Sequence, residues 1–176
     1  MMISSYKDYR NYLEADRVAL ARGCYTFISW LMDDIWNFQR LLRKVEYLQN
    51  CKQGVAYSLL RKVLYFRLHR LSIKLGFSIP VNTFGPGLSI AHYGPIIVNT
   101  ATRVGKNCRI HVGVNIGEVD KKAPQIGDNC YIGPGAKLFG DIVIGNNTKI
   151  GANAVVNKSF PEGNCTLVGV PARKVN

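Results

Sequence analysis

Aliphatic residues return every six positions through the second half of this chain. Ile126, Ile132, Leu138, Ile144, Ile150 and Val156 keep the interval without a miss, Val104, Ile110 and Ile116 keep it before them, and Phe84 and Ile90 are spaced likewise. Six residues is too long for a helical turn and matches no ordinary strand. A chain with this period makes one short strand and one corner per six residues, which predicts a triangular parallel β-helix over residues 76–158. Two residues before each aliphatic lie Thr102, Cys108, Val114, Cys130, Ala136, Ile142, Thr148 and Ala154. These are mostly small, as the narrow interior of a three-sided coil requires. Cys108 and Cys130 are therefore packing residues. Glycine directly follows the aliphatic at Gly85, Gly105, Gly117, Gly127, Gly133, Gly145 and Gly151. These glycines are expected at corners, where the backbone needs positive φ.

Residues 1–75 carry a different period and read as an α-helical N-terminal region. Ser4 and Ser5 are N-cap candidates for a helix running to about Arg22, where Gly23 breaks it. A second helix is expected over Phe27 to Gln49 and a third over Val55 to Leu75. The third carries Leu64, Leu68, Leu71 and Leu75 as one apolar stripe, with Arg67, Arg70 and Lys74 beside it. That pattern predicts an amphipathic helix with its basic side turned out. The formal net charge is +12, and nine of the 23 Lys and Arg residues lie between Arg40 and Lys74 against one acidic residue, Glu46. Such a block favours anionic partners: a phosphorylated precursor, an acidic polysaccharide or an anionic membrane surface. No nucleic-acid partner is expected. The remaining residues, 159–176, are expected to leave the coil, cover its open end and return along it through Pro161 and Pro171, hiding a sheet edge.

The repeat breaks in two places, and breaks in a solenoid are where function attaches. From Ile116 to Ile126 the gap is too long for one repeat, so residues 118–125 are expected to bulge as a loop holding Asp120, Lys121 and Lys122. A smaller irregularity between Ile90 and Val98 contains His92. Of the other histidines, His69 sits in the basic helix. His111 follows the inward Ile110 and is expected to face out with Arg109.

Five cysteines (Cys24, Cys51, Cys108, Cys130 and Cys165) form no CxxC pair and no zinc spacing. Free thiols in a reducing compartment fit better than disulfides. The longest apolar run, Cys24 to Met32, is too short and too interrupted to span a bilayer, and no signal peptide is evident. A cytoplasmic protein is expected, peripheral to the inner face of the membrane if the basic block meets lipid.

GPGLSIAHYG (85–94), IGPGAKLFGDIVIG (132–145), IGANAVV (150–156) and GVPARKV (169–175) resemble the hexapeptide-repeat acyltransferases, and within them the serine acetyltransferase branch. The resemblance covers residues 76–176 and implies a left-handed hand for the β-helix. It further implies a homotrimer with active sites between subunits, acetyl-CoA as co-substrate, no metal, and direct transfer to a hydroxyl. His92 matches the catalytic histidine. A neutral imidazole can take the proton of an alcohol as it attacks the thioester. By position the resemblance places Gly117, Pro134, Gly135 and Ala152 along the pantetheine arm, and Lys149, Arg173 and Lys174 at the phosphates. It places Tyr93, Arg109, His111 and Lys122 toward the acceptor.

Three acceptor-side positions depart from the branch. Phe77 stands where an aspartate orients the catalytic ring, Ala91 stands where an aspartate helps to hold serine, and Lys122-Ala123 replaces an Arg-His pair. A serine ammonium would lose its carboxylate partner. The acceptor expected from these departures is an uncharged sugar hydroxyl of a surface polysaccharide precursor, of capsule or O-antigen type. Serine O-acetylation for cysteine biosynthesis and a non-catalytic trimeric scaffold are the alternatives. Ser78, Asn82 or a backbone carbonyl are the candidates to orient His92.

Overall fold

Every inward position expected from the six-residue period is buried in the structure, a computed structural model that describes residues 2–22 and 32–175. Among the described residues the chain forms three helices followed by a three-sided parallel coil. One side is β1 (Phe77–Ser78), β3 (Ile96–Val98), β6 (Asn115–Gly117), β9 (Lys137–Phe139) and β12 (Val155–Val156), stacked in that order. The second is β4 (Arg103–Val104), β7 (Gln125–Ile126) and β10 (Val143–Ile144), extended by parallel bridges from Phe84 to Val104 and from Ile144 to Phe160. The third is β2 (Ser89–Ile90), β5 (Arg109–Ile110), β8 (Tyr131–Ile132), β11 (Lys149–Ile150) and β13 (Thr166–Val168), closed by the antiparallel β14 (Arg173–Lys174). Register follows the period: Ile90, Ile110, Ile132, Ile150 and Leu167 are consecutive partners up the third side. The architecture matches a left-handed hexapeptide β-helix.

The small second inward residues, from Thr102 to Ala154, are all buried. Burial pushes the Cys108 and Cys130 thiols up, as fits packing residues that stay protonated. Cys24 lies outside the described residues. The coil does not stop near residue 158 as expected. It makes a further turn through Phe160 and β13, and the chain then doubles back as β14 on the open edge.

The glycines after the aliphatics are not in the left-handed region, contrary to expectation. Positive φ at the corners is taken instead by Asn107, Asn129, Asn147, Asn153 and Asn164, with Gly87, Gly94, Gly113 and Gly135. Four of these asparagines form a ladder: Asn107 Nδ2 donates to Asn129 Oδ1 (2.9 Å), Asn129 to Asn147 (3.0 Å) and Asn147 to Asn164 (2.8 Å). Gly105 and Gly127 are required for a different reason. A Cβ on Gly105 would lie 2.7 Å from the Gly127 carbonyl carbon, and one on Gly127 2.9 Å from the Asn146 amide. The backbones of successive coils approach too closely there for any side chain.

α1 (Tyr6–Ala19) starts at Ser5, whose hydroxyl accepts from the Asp8 amide. It ends before Arg22, and the breaker Gly23 lies outside the described residues. α2 (Asp34–Cys51) is capped by Asp33, and the expected start at Phe27 also lies outside them. α3 (Val55–Leu75) has the expected bounds and ends at the left-handed Gly76. Leu64, Leu68 and Leu75 are buried, as expected. The outer side of α3, however, is not simply basic: Leu59, Val63, Phe66 and Ile73 are exposed along it.

The helices join the coil through a buried ion cluster. Arg43 of α2 is fully buried, and its guanidinium donates to Asp16 of α1 (2.8 Å), to Glu46 (3.0 Å) and to the carbonyls of Phe84 (2.8 Å) and Gly85 (2.7 Å). Asp16 Oδ1 accepts from the amides of Gly87 and Leu88, both at 2.8 Å, and Glu46 from the Asn82 amide at 2.7 Å. Burial alone would lower the Arg43 pKa, but the two carboxylates outweigh it and hold it above the ordinary value. Gln39 adds a bond to the Leu88 carbonyl (2.7 Å).

Removing one member of such a cluster leaves buried charge without a partner. Arg43→Ala is expected to cost about 3–5 kcal/mol, read as a lowered midpoint in chemical denaturation. Exposed Lys7→Ala should stay within about 0.5 kcal/mol of the parent.

Candidate active site

Each coil turns from the third side to the first at one edge of the prism. The successive turns are residues 91–95, 111–114, 133–136 and 151–154, between β2 and β3, β5 and β6, β8 and β9, and β11 and β12. His92 lies in the lowest of these turns and is exposed with Tyr93. The turn is fixed by its neighbours. The Gly94 amide donates to the Leu75 carbonyl (2.8 Å), and the Gly113 amide to the Pro95 carbonyl (2.7 Å). Gly94 has φ +120°, and a Cβ there would lie 2.6 Å from Val112 Cγ2. Only glycine fits between His92 and the coil above.

His111 occupies the same edge one coil up. Its ring centroid lies 6.1 Å from that of His92 and 5.0 Å from that of Tyr131. It is half-buried rather than fully turned out as expected, because Tyr131 of the next coil packs over it. Its Nε2 is out of contact with solvent and has no hydrogen-bond partner among the described residues. Burial, then the charges of Arg109 and His92, holds its pKa below the ordinary imidazole value. Arg109 is exposed, as expected, and donates to Ser89 Oγ at 3.0 Å.

Neither expected side chain orients His92. Asn82 is engaged by α2, donating to Asn50 Oδ1 (3.1 Å) and accepting from Asn50 Nδ2 (2.8 Å). Ser78 lies in β1 beside Ile97, and no hydrogen bond joins it to His92. Phe77 is buried, with its ring 5.0 Å from Phe38 of α2 in an edge-on contact. That position therefore serves the joint between helices and coil, where a carboxylate would be a buried charge.

The other expected site residues separate into two groups. Pro134, Gly135 and Ala152 lie on the His92 edge, in the two turns above His111. Lys149, Arg173 and Lys174 are exposed on the upper end of the third side, where β14 folds back on β13 next to β11. These six form one continuous strip leading up from the histidine. Lys122 and Gly117 do not join it. Gly117 ends β6, and Lys122 belongs to the expected loop, whose turn carries Asp120 and Lys121 with φ of 51° and 63° between bridged Val119 and Lys122. This loop occupies the edge between the first and second sides, and Lys122 pairs there with Asp141 at 2.5 Å.

Sequence reading missed Tyr131, which packs over His111, and Ser89, which receives Arg109. Both follow from register: Ser89, Arg109 and Tyr131 are consecutive partners up one side. Among the described residues no group of three or more His, Cys, Asp or Glu could hold a metal ion. No helix among them is long and apolar enough to cross a membrane.

Residues 123–158 match the family model described as bacterial transferase hexapeptide (six repeats). The serine acetyltransferase of Helicobacter pylori is 34% identical over 130 residues, covering 69% of this chain and 75% of that protein. That of Synechococcus elongatus is 36% identical over 100 residues, covering 54% of this chain but only 41% of the relative. The chain thus spans less than half the length of that curated relative. Among solved structures, the Brucella abortus serine acetyltransferase in complex with coenzyme A superposes with a TM-score of 0.76 at 28% identity, over 97% of this chain and 68% of that one.

The depressed pKa of His111 has a consequence for stability. A histidine that binds its proton less readily when folded contributes stability that is complete above the ordinary value of 6.5 and is lost as pH falls below it. The urea midpoint should therefore fall from about pH 7 to about pH 5 more steeply in the parent than in His111→Gln. Parallel curves would show that His111 titrates normally in the folded protein.

Proposed function

This chain belongs to the serine acetyltransferase family of hexapeptide-repeat transferases, and we propose that it moves an acetyl group from acetyl-CoA to the hydroxyl of serine. The kinship with the Helicobacter pylori enzyme over three quarters of that protein carries this reading, and the exposed edge bearing His92 supplies its chemistry. His92, as neutral imidazole, takes the hydroxyl proton while the oxygen attacks the thioester carbonyl. A backbone N–H stabilises the tetrahedral oxyanion. On collapse the C–S bond breaks, and the CoA sulfur receives the proton from His92. Transfer is direct, because both substrates are bound together and no acyl-enzyme is needed.

Coenzyme A fits the strip above the histidine. Pro134, Gly135 and Ala152 offer a low surface for the pantetheine arm, and Lys149, Arg173 and Lys174 supply cations for the phosphates. His111 and Arg109 stand next to His92 on the acceptor side, with Tyr93 exposed beside it. Lys122 can approach such a site only from a neighbouring protomer, which fits a homotrimer with its active sites between coils. The basic helices suit a phosphate-bearing anionic partner.

A second reading takes an uncharged sugar hydroxyl as the acceptor. It is favoured by Ala91, which leaves serine's ammonium without the carboxylate of the family pattern. Serine stands first, because the relatives named above are serine acetyltransferases.

Thiol release from acetyl-CoA, followed with serine and with a panel of nucleotide and lipid-linked sugars, separates the readings. Stimulation by serine alone is expected, and stimulation by a sugar alone would replace it with the glycan acceptor. Failure to bind CoA would leave only a scaffold. His92→Ala should lower turnover by about 10²–10⁴-fold with CoA binding retained, and normal turnover in that variant would remove His92 from the mechanism.

A further inference from the structure

We propose that the outward face of α3 docks on an anionic lipid bilayer. α3 is apolar on two opposite sides. Leu64, Leu68 and Leu75 are buried on one of them. At 3.6 residues per turn, Val55, Leu59, Val63, Phe66 and Ile73 fall on the other within about a quarter of the circumference. These five are 88%, 65%, 51%, 64% and 61% exposed. Five large apolar side chains aligned over the length of one helix call for an apolar cover.

Charge identifies the cover. α3 contains Arg61, Lys62, Arg67, Arg70 and Lys74 and no acidic residue. Arg70 lies within the apolar stripe itself by helical angle, and Lys62 lies at its border. A second copy of this chain, packed about a twofold axis, would set these cations against one another. A bilayer bearing acidic headgroups accepts both features at once: its acyl boundary takes the apolar stripe, and its phosphates take the Lys and Arg heads, whose stems reach outward from it. Beside the stripe a shallow groove of about 470 Å³, lined by Gln49, Arg61, Lys62, Tyr65, Phe66 and His69, offers cations and aromatic faces suited to a headgroup and its glycerol. α3, at 21 residues, is too charged and not apolar enough to cross the membrane, so it lies in the plane of the interface. Docking there is independent of which hydroxyl is acetylated.

The test is co-sedimentation of the full chain with phosphatidylcholine vesicles, with and without phosphatidylglycerol. Capture is expected only by the vesicles containing phosphatidylglycerol, and added salt should weaken it. Phe66→Ser should lower the partition coefficient roughly tenfold and Arg70→Gln about fivefold. Both variants should keep the parent's sedimentation coefficient without lipid and its thiol release from acetyl-CoA. Absence of capture, equal capture by neutral vesicles, or equal capture of parent and variants would overturn the proposal. A change of association state in Phe66→Ser would overturn it too, by making a second copy of the chain the occupant.

Discussion

A parallel coil has an open edge at its first turn, and here that edge is closed by one buried guanidinium. Arg43 donates to the carbonyls of Phe84 and Gly85, while Asp16, itself bound to Arg43, accepts from the amides of Gly87 and Leu88. The backbone groups of residues 84–88 that no lower coil can pair are thus satisfied by two opposite charges. Arg43 is in turn paired with both Asp16 and Glu46. Neither partner could be buried alone, since desolvation would exceed what a single hydrogen bond returns. The helices and the coil are therefore mutually required: the helices supply the ions, and the coil supplies the backbone groups that complete their hydrogen bonds.

This joint determines where the chemistry stands. The segment held by Arg43, Asp16 and Gln39 runs directly into β2 and then into the turn with His92. The same α2 contributes Phe38, whose packing on Phe77 occupies the position from which the family pattern orients the histidine. The helical layer has taken that position for packing, and the environment of His92 is left to its own edge. There the histidine meets His111, whose pKa is lowered by burial and then by the charges of Arg109 and His92.

The inward residues were legible in the sequence because each interior position is set by one number, the six-residue period. What escaped depends on residues a whole coil away. The glycines after the aliphatics looked like corner residues, yet they are dictated by the backbone passing above them, as Gly105 is by Gly127. The left-handed corners went to asparagine, whose side-chain amides bond up the stack. His111 was placed outward by alternation along its own strand, and only Tyr131 in the next coil covers it. In α3 the leucine stripe was legible, but apolar residues on both sides cancel the periodic signal. The outer face became visible only when one side was known to be buried.

The two interruptions of the repeat lie on different edges of the prism, and this bears on assembly. His92 sits on the edge between the third and first sides, and the loop with Lys122 on the edge between the first and second. The strip from His92 to Arg173 would offer coenzyme A a low surface and three cations, but it is open on the acceptor side. A second protomer that brought its 118–125 loop against this edge would place the cation of Lys122 beside the acceptor. On the proposed function, the break at His92 would make the turn that carries the base, and the break at Lys122 the wall that a neighbouring coil would add to it.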